Sequence, residues 1–415
     1  MYQNWHLTHH IDTLIHIHQE DGAMPHSYWS KQPKPTEIRR RIEGFGSWIE
    51  VDLDAVSNNL AEIRRHTSAE VMPCVKNNAY GHGLLPLAAH FEDNGVKRVL
   101  VAKTREAIQI RENTGLRAVN MDPLWTAEQY EAAVAKGVTQ VVYTMEAAER
   151  LSRAALKLGK TAEVFVKVDT GLRRVGVWHE EAPDIIKRIV AFPHIHLDGI
   201  MSTLMQNPVQ DRQQIGRIKA VADEIRSSGI NPGLLSLAST DATLNNPAAH
   251  LDLVRPGMSL YGVYPESKDE ASGPGLRQAL SWKARIEYVK TISIGDSVTY
   301  WGKFVAPEDM PVGTVHVGFY DGIPREMANK ARILVDGQYR SSIGSISLNH
   351  ILLDLRGVKA KQGDVVELIG RTGENTLSRF AETAGWMTYR VLNHLNSHTP
   401  CVYTRDGEPV ALLEE

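Results

Sequence analysis

Cysteine is the residue that this sequence has least of, since only Cys74 and Cys401 occur among 415 residues. Two cysteines cannot form the disulfide framework of a small secreted protein, so a reducing, cytoplasmic environment is expected. The sequence has no apolar run of membrane-spanning length, and its first residues lack the basic and apolar regions of a signal peptide. We therefore expect a cytoplasmic protein without a membrane partner.

The sequence also lacks an excess of charge of either sign. Its formal net charge is -3, from 46 basic and 49 acidic residues. Binding to nucleic acid or to anionic lipid generally needs a strongly basic surface, which this balance does not indicate. The hydrophobic share of 42% is ordinary for a globular protein. A function in nucleic-acid or membrane binding is therefore not expected.

Residues 1–45 differ in composition from the rest of the chain. Six histidines lie within the first 26 residues, and the basic run Arg39-Arg40-Arg41 follows. A metal site built on these histidines would need further ligands, and no cysteine or carboxylate lies at ligand spacing. We predict no metal site and interpret residues 1–45 as an N-terminal extension, either a surface segment or one that docks to a partner.

Residues 46–276 alternate short apolar runs with amphipathic segments of helical length. The runs start with Val71–Lys76 and end with Leu251–Val254, and they supply about eight strand candidates. Strand–helix alternation implies parallel pairing, and eight units is the number in a closed barrel. The alternative is an open doubly wound sheet, which often carries a Gly-x-Gly-x-x-Gly turn that this sequence lacks. We expect an α/β fold, a TIM-like (β/α)8 barrel.

Residues 277–415 lose the helical period and consist of apolar runs separated by Gly, Pro and Asp turns. Ser297–Val305 is one of the predicted strands, and Asp336-Gly337 predicts a hairpin turn. One or two helices are expected within Ser378–Asn396. We predict a mostly β C-terminal domain, and we expect the strand at residues 48–53 to pair with it.

The stretch Val75–Gly83 combines a lysine with a small, glycine-rich turn. Lys76 ends an apolar run, and Tyr80 and two glycines follow it. A rigidly held amine can form a Schiff base with pyridoxal phosphate, and a small turn leaves room for that cofactor. Taken alone, the stretch is equally compatible with an ordinary strand end whose lysine points into water.

Other polar residues follow the predicted strands at the end that forms the functional face of a barrel. Hydroxyls and backbone N–H groups there can bind phosphate, and an arginine can bind a carboxylate through two parallel hydrogen bonds. Separately, each residue could lie in a surface loop or form an ordinary ion pair. Their joint placement favours a cofactor site formed by Arg174, Ser202, Thr203, Ser239, Thr240, Arg255, Gly257 and Met258.

From about Trp48 onward, the chain resembles the alanine racemase family, which are fold-type III pyridoxal phosphate enzymes. Four blocks carry the resemblance, in the family's order: Val75–Gly83, Lys167–Gly171, Val254–Gly262 and Gly318–Arg325. The resemblance implies a pyridoxal phosphate-dependent racemase of a small-molecule amino acid. It also implies a head-to-tail homodimer.

The resemblance implies a role for each matched residue. Lys76 would hold the cofactor and act as one catalytic base, and Tyr300 would be the opposite base in the neighbouring subunit's site. Arg174 would bind the substrate carboxylate, and Arg255 would keep the pyridine nitrogen from full protonation. Lys167 matches a lysine that is carbamylated in some members. Cofactor contacts are implied for Tyr80, Ser239, Thr240, Gly257, Met258 and Tyr389, and substrate contacts for Thr203, Phe319, Leu348 and Asn349.

The sequence departs from the family pattern around the substrate. The family's Met-Asp-Gln is Leu348-Asn349-His350 here, and its Thr-His-Phe is Ser202-Thr203-Leu204, which removes a histidine partner of the catalytic tyrosine. Phe319 replaces a tyrosine, and Trp301 replaces the glycine after the catalytic tyrosine. We therefore predict a racemase for a substrate other than, or larger than, alanine.

Two alternatives remain open at this stage. One is a fold-type III decarboxylase or aldolase, for which Cys401 or the pair His394 and His398 would have to supply the distinguishing chemistry. We interpret those histidines instead as two residues on one helix face. The other is a non-enzymatic cofactor-binding barrel, but such proteins lack a second domain carrying a tyrosine like Tyr300.

Overall fold

The computed structural model describes residues 28–264 and 275–414, so the histidine-rich first 26 residues lie outside the described part. A short 3-10 turn, Tyr28–Lys31, and helix α1, Pro35–Ile42, precede strand β1, Ser47–Asp52. Ile38 of α1 is fully buried and packs with Trp48, Val402 and Leu412. The described part of the extension is therefore packed against the C-terminal strands.

The central body of the chain is a barrel of eight parallel strands in the order β2-β10-β9-β8-β6-β5-β4-β3. Hydrogen bonds from Val75 N–H to Leu100 O and from Leu100 N–H to Pro73 O, both 2.9 Å, join the first strand to the last. The predicted barrel is therefore confirmed. The strands, with the short β7 that pairs beside β6, are β2 (Glu70–Val71), β3 (Arg98–Val101), β4 (Arg117–Asn120), β5 (Thr139–Val142), β6 (Ala162–Asp169), β7 (Val177–Trp178), β8 (Ile195–Met201), β9 (Leu234–Ser239) and β10 (Leu253–Arg255).

Helices connect the barrel strands, and strands β3 and β5 are buried along their whole length. Such burial is characteristic of a parallel sheet whose outer face is covered by helices. The polar ends of the strands consequently gather at one rim. The helices are α2 (Leu53–His66), α3 (Lys76–Tyr80), α4 (Leu84–Asp93), α5 (Thr104–Asn113), α6 (Ala127–Ala135), α7 (Met145–Leu158), α8 (Ala182–Val190), α9 (Pro208–Ser227) and α10 (Thr240–Asn245).

The C-terminal part of the chain forms a second sheet, in the order β14-β17-β16-β15-β18-β11-β1-β19-β20, with a further pairing of β14 to β11. Strand β1 pairs antiparallel with β11 and parallel with β19. The elements are β11 (Leu280–Ile292), β12 (Ser297–Val298), β13 (Phe304–Val305), β14 (Met310–Val315), β15 (Arg332–Val335), β16 (Gln338–Ile343), β17 (Ile351–Asp354), β18 (Val365–Ile369), α11 (Leu377–Ala384), α12 (Thr388–His394), β19 (Cys401–Arg405) and β20 (Glu408–Leu413).

Two local predictions in this sheet have opposite outcomes. The hairpin at Asp336-Gly337 is confirmed, since Val335 pairs with Gln338 and both turn residues have positive φ. The single strand predicted for Ser297–Val305 is wrong, because the 3-10 turn Tyr300–Gly302 divides it. The turn places Tyr300 outside any strand. Among the described residues, no helix has both the length and the apolarity needed to cross a membrane.

Candidate active site

Lys76 lies where the first barrel strand ends, at the start of a turn with unusual backbone geometry. The next four residues have φ of 54, 55, 50 and 54°, the left-handed region that non-glycine residues rarely adopt. Two hydrogen bonds stabilise the turn: Asn78 N–H donates to a Glu106 carboxylate oxygen, and Leu84 N–H donates to Asn78 Oδ1, both at 2.8 Å. Lys76 is half-buried, with its Nζ 5.8 Å from the centre of the Tyr80 ring.

Glu106 is a positioning residue that sequence reasoning missed. It lies in α5, buried, and its carboxylate accepts the Asn78 N–H of the lysine turn. Burial raises the pKa of Glu106, and the hydrogen bonds from the turn oppose that rise. Nothing in the sequence distinguishes Glu106 from any other acidic residue on an amphipathic helix.

Three tyrosines and a glycine form a small cradle beside the lysine turn. The Tyr80 ring lies 5.7 Å from that of Tyr261 and 5.9 Å from that of Tyr389. A Cβ on Gly257 would approach the Tyr80 hydroxyl oxygen to 2.9 Å, so a side chain at position 257 would fill the cradle. Burial, above all, raises the pKa of Tyr80, so its hydroxyl remains a donor, and in the single chain it donates to Cys74 Sγ at 3.4 Å.

The predicted phosphate-binding residues extend this cradle. Gly257 N–H donates to Thr240 Oγ1 at 2.8 Å, and Thr240, buried, begins α10 directly after Ser239. Met258 is buried and begins the 3-10 turn after Gly257. The contacts thus link Thr240 and Gly257 to Tyr80, and Tyr80 to Tyr389. The Gly257 N–H is already bonded, and the Tyr261 hydroxyl donates to Cys74 O at 3.0 Å.

Arg255 is buried at the end of β10 and is fixed by barrel groups. Its Nε donates to Ser236 Oγ at 2.9 Å, and one terminal nitrogen donates to the carbonyls of Ser202 and Leu237. The other terminal nitrogen makes no hydrogen bond to a residue that the structure describes. Burial lowers the pKa of Arg255 to about 10, which leaves it charged at neutral pH. Ser236, which orients it, was not predicted.

Lys167 is buried among polar side chains and lies near Arg174. Its Nζ is 2.6 Å from Thr203 Oγ1, the residue that stands where the family pattern has a histidine. Burial, and then the charges of Arg255 and Arg174, lower the pKa of Lys167 well below its ordinary value. Arg174 itself is exposed. Sequence reasoning missed Gln214, whose Nε2 donates at 3.0 Å to Thr203 O.

Tyr300 lies away from this cluster, on a strained turn of the C-terminal sheet. Tyr300 is 65% exposed, and its neighbours Thr299 and Trp301 have φ of 61 and 63°. Ser345 clamps the turn, since its N–H donates to Thr299 Oγ1 at 2.6 Å and its Oγ donates to Tyr300 O at 2.7 Å. Within the described residues of one chain, no hydrogen bond or ring contact joins Tyr300 to Lys76.

The other predicted substrate residues lie in two bonded loops of the same sheet. Phe319 N–H donates to Ser347 O, and Tyr320 N–H donates to Leu348 O, both at 3.0 Å. Phe319 and Leu348 are 43% and 50% exposed, and Asn349 is half-buried. The surface that carries these residues is therefore open to solvent in the single chain.

An arginine connects the Phe319 loop to the Tyr300 turn. The Arg325 guanidinium lies 5.6 Å from the centre of the Phe319 ring and 5.7 Å from that of Trp301. The Tyr300 and Trp301 rings are 5.8 Å apart. We call Trp301, Phe319 and Arg325 the aromatic–arginine cluster. Sequence reasoning did not assign a role to Arg325.

The residues considered for the alternative reactions lie in the C-terminal part of the chain, in β19 and at and after the end of α12. Cys401 is buried in β19, where its thiol donates to Thr399 O at 3.6 Å. The interpretation of His394 and His398 as one helix face is wrong, because α12 ends at His394. His394 Nδ1 bonds the Arg390 carbonyl of its own helix at 2.9 Å.

His82, at the end of the lysine turn, gives a prediction for stability against pH. It is fully buried and stacks on Tyr261 at 4.4 Å, and its Nδ1 lies 3.1 Å from the carbonyls of Ala79 and Tyr80. Two acceptors require the proton on Nδ1, so Nε2 stays bare. Burial lowers the pKa of His82 from 6.5 to about 4.

Below pH 6.5, His82 binds a proton in the unfolded chain but not in the folded one. The contribution of His82 to the unfolding free energy is therefore present above pH 6.5 and is lost as the pH falls towards 4. We expect His82→Gln to reduce the loss of unfolding free energy between pH 7.5 and pH 5 by about 2 kcal/mol. Urea unfolding at both pH values measures this, with the exposed His66→Gln as control. Equal pH-dependent losses in wild type and His82→Gln would contradict it.

A barrel with a lysine beside a hydroxyl-lined cradle, followed by a β sheet with an exposed tyrosine, defines a class of pyridoxal phosphate enzymes that act at an amino-acid α-carbon. Within that class the chain belongs to the alanine racemase family. The model of the alanine racemase N-terminal domain matches residues 51–265, and that of the C-terminal domain matches residues 279–403. The protein is therefore a racemase whose cofactor is pyridoxal phosphate.

Individual relatives agree with this assignment. The chain is 30% identical over 378 residues to the alanine racemase of Clostridium perfringens, covering 88% of this chain and 97% of that one. The structure of the Clostridium difficile 630 alanine racemase matches at a TM-score of 0.85 and 27% identity, over 89% and 98% of the two chains. A Bartonella henselae alanine racemase with covalently bound pyridoxal phosphate shares the fold, at 23% identity, 87% and 100% coverage and a TM-score of 0.76.

Proposed function

We propose that this protein interconverts the enantiomers of an amino acid with two bases, Lys76 and Tyr300. The observation that carries the proposal is their complementary placement. Lys76 is half-buried on a rigid turn beside the cradle, whereas Tyr300 is clamped and exposed on the C-terminal sheet. Two bases on opposite faces of an α-carbon are what inversion requires.

The residues around Lys76 fit pyridoxal phosphate. The cradle at Gly257 has no room for a Cβ next to the Tyr80 hydroxyl, as expected where a backbone approaches a ligand closely. The hydroxyls of Tyr80, Thr240 and Tyr389 would hold the phosphate, and Ser239 and Met258 would lie beside them. When bound, the cofactor supplies an electron sink that acidifies the α-hydrogen of the amino acid.

We propose a separate role for each of four residues around the cofactor. Lys76 would hold the cofactor covalently, and its amine would take or return a proton on one face of the α-carbon. Arg255 would hold the ring nitrogen of the cofactor, and its positive charge would disfavour protonation of that nitrogen. Arg174 binds the substrate carboxylate. A carbamate on the buried amine of Lys167, whose pKa burial lowers, would add negative charge near Arg174 and Arg255.

The exposure of Tyr300 favours a head-to-tail homodimer. A base that removes a proton at an α-carbon works in a site shielded from water, yet Tyr300 is 65% exposed in the single chain. A second copy that covers the C-terminal sheet with its barrel rim would bury Tyr300, Phe319 and Leu348 together. We propose that the dimer lies in the cytoplasm, where the thiols of Cys74 and Cys401, which form no disulfide, remain reduced.

We propose that the substrate is larger than alanine. The support is the aromatic–arginine cluster, which puts the Trp301 side chain next to Tyr300 where the family pattern has only a glycine. Asn349 and Thr203, which stand where the family pattern has an aspartate and a histidine, change the polarity of the substrate end of the site. Leu348 would still offer its backbone N–H to the carboxylate. A side chain longer than a methyl group can reach the cluster and gain contacts that alanine cannot make.

A panel of single L- and D-amino acids tests the substrate proposal. We expect at least one amino acid larger than alanine to exceed alanine roughly tenfold in kcat/KM, a difference typical of added apolar contacts. Trp301→Gly should shift the ratio toward alanine without unfolding, because glycine adopts the positive φ at no cost. Trp125→Ala is the control for loss of an exposed tryptophan. Alanine as the best substrate would overturn the proposal.

A further inference from the structure

We propose that Glu287, His316 and His350 form a binding site for a divalent cation of the zinc class on the C-terminal sheet. They are the group of three histidine, cysteine or acidic residues in residues 28–264 and 275–414 whose ligand atoms lie close enough to share an ion, within 4.8 Å of one another. Two imidazoles and one carboxylate are a common donor set for zinc with an open coordination position. We call these residues the His-His-Glu cluster.

The sheet topology builds this cluster. Strand β14 pairs antiparallel with both β11 and β17, and Val315 is the partner of Ile286 on one side and of Ile351 on the other. His316 and His350 are each one residue beyond the Val315–Ile351 pair, so they face each other across the two strands. The site therefore combines Glu287 of β11 with the residue directly after β14 and the residue directly before β17.

Glu287 reaches the histidines because of a bulge. The register of β11 against β14 shifts between Ile286 and Tyr288, which leaves Glu287 as the extra residue. Bulges bend a strand and redirect the side chain of the inserted residue. Here the redirected carboxylate oxygen lies 3.3 Å from His316 Nδ1 and 3.1 Å from His350 Nε2.

These distances are close to those of a bound ion. Zinc binds nitrogen and oxygen at about 2.0–2.2 Å, so two ligands of a tetrahedral ion are roughly 3.4 Å apart. Both oxygen–nitrogen separations already match that value, and the two imidazole rings are 4.7 Å apart between centres. Small side-chain rotations would complete the site.

The surroundings hold one ligand in place. His350 N–H donates to Ser347 Oγ at 3.1 Å, and Ser347 N–H donates to His350 O at 3.0 Å. This closes a four-residue turn. An ordinary exposed ion pair would not need such support and would contribute little to stability. The Asp321 carboxylate adds negative charge toward both histidines.

A cation here would also stabilise the substrate-facing loops. The turn from Ser347 to His350 accepts the N–H groups of Phe319 and Tyr320 through its carbonyls. An ion on His350 would therefore fix the loop that carries Leu348 and Asn349. This consequence for the reaction rests on the proposed function, whereas binding of the ion does not.

The cluster differs from the sequence-based expectation of no metal site. The sequence alone predicted no role for His316 or Glu287, and His350 stood out only as a replacement for the glutamine of the family pattern. The three residues are separated by 29 and 34 positions in the sequence. Only the strand pairing shows that they are neighbours.

Zinc titration of the full-length, metal-free protein against a chromogenic chelator tests the site. We expect the double variant Glu287→Gln, His316→Asn to bind one zinc ion per chain fewer than wild type. The matched control is Glu62→Gln, His66→Asn, the same changes on one turn of α2. All three proteins retain the histidines of the first 26 residues, so zinc bound there cancels in the comparison.

Two outcomes would overturn the proposal. One is equal zinc stoichiometry in wild type and in the double variant. The other is an anomalous diffraction peak at the zinc edge, from crystals grown with zinc, that lies away from the three side chains. A peak among Glu287, His316 and His350, together with the lost equivalent, supports the site. Neither measurement depends on racemase activity, so failure of the proposed function would leave the result interpretable.

Discussion

Replacement of Lys76 by alanine is expected to abolish racemisation, with a loss on the order of 10^4-fold or more. Lys76 has two roles in the account, as the covalent anchor of pyridoxal phosphate and as one base. Its turn is held by Glu106 and Asn78 rather than by the lysine side chain. The fold should therefore survive the change.

The anchoring role can be measured separately from activity. Borohydride reduction of the wild-type holoenzyme should fix the cofactor to a peptide containing Lys76, and mass spectrometry should find no such adduct in Lys76→Ala. Lys97→Ala, at an exposed lysine before β3, is the control that should keep the adduct and the activity. A cofactor adduct on another lysine in the wild type would contradict the assignment.

Replacement of Tyr300 by phenylalanine is expected to lower racemisation by about 10^2- to 10^4-fold, the usual contribution of a general base. The ring and the Ser345 clamp on the backbone remain, so only the hydroxyl is lost. Exchange of the α-hydrogen with solvent should continue on the Lys76 face alone. Tyr320→Phe, at a neighbouring exposed tyrosine, should leave both rates near those of wild type.

The two variants together test which chain supplies each base. If Tyr300 serves the partner's Lys76, a mixed dimer of Lys76→Ala and Tyr300→Phe chains contains one intact site. Random mixing of a two-fold dimer should then restore about a quarter of the wild-type activity. If each site used two bases of its own chain, the mixture would stay inactive.

The barrel and its rim could be predicted from sequence because both rest on local patterns. Alternation of apolar runs with helical segments predicts parallel strands. Lys76, Arg255 and Thr240 follow the ends of such strands, which made them candidate site residues. Ser345 is an example of a contact that local patterns do not indicate. It holds Thr299 from 46 positions away, so nothing near Ser297–Val305 indicated that the strand would break at Tyr300.

The supporting residues were missed for the same physical reason. Glu106 and Ser236 act through single hydrogen bonds to backbone or arginine atoms that the fold brings to them. The bulge that turns Glu287 toward two histidines depends on the register of β11 against β14. Such contacts are long-range, and residue type alone does not indicate them.

The most direct test of the two-base account is to incubate the holoenzyme with each enantiomer of its best substrate, in separate reactions in deuterated water. Deuterium incorporation at the α-carbon and chirality are then followed together from the first turnover. The account predicts that wild type incorporates deuterium with inversion from either enantiomer, whereas Tyr300→Phe incorporates it with retention only into the enantiomer whose α-hydrogen faces Lys76. Inversion at the wild-type rate in Tyr300→Phe would contradict the assignment of Tyr300 as the second base.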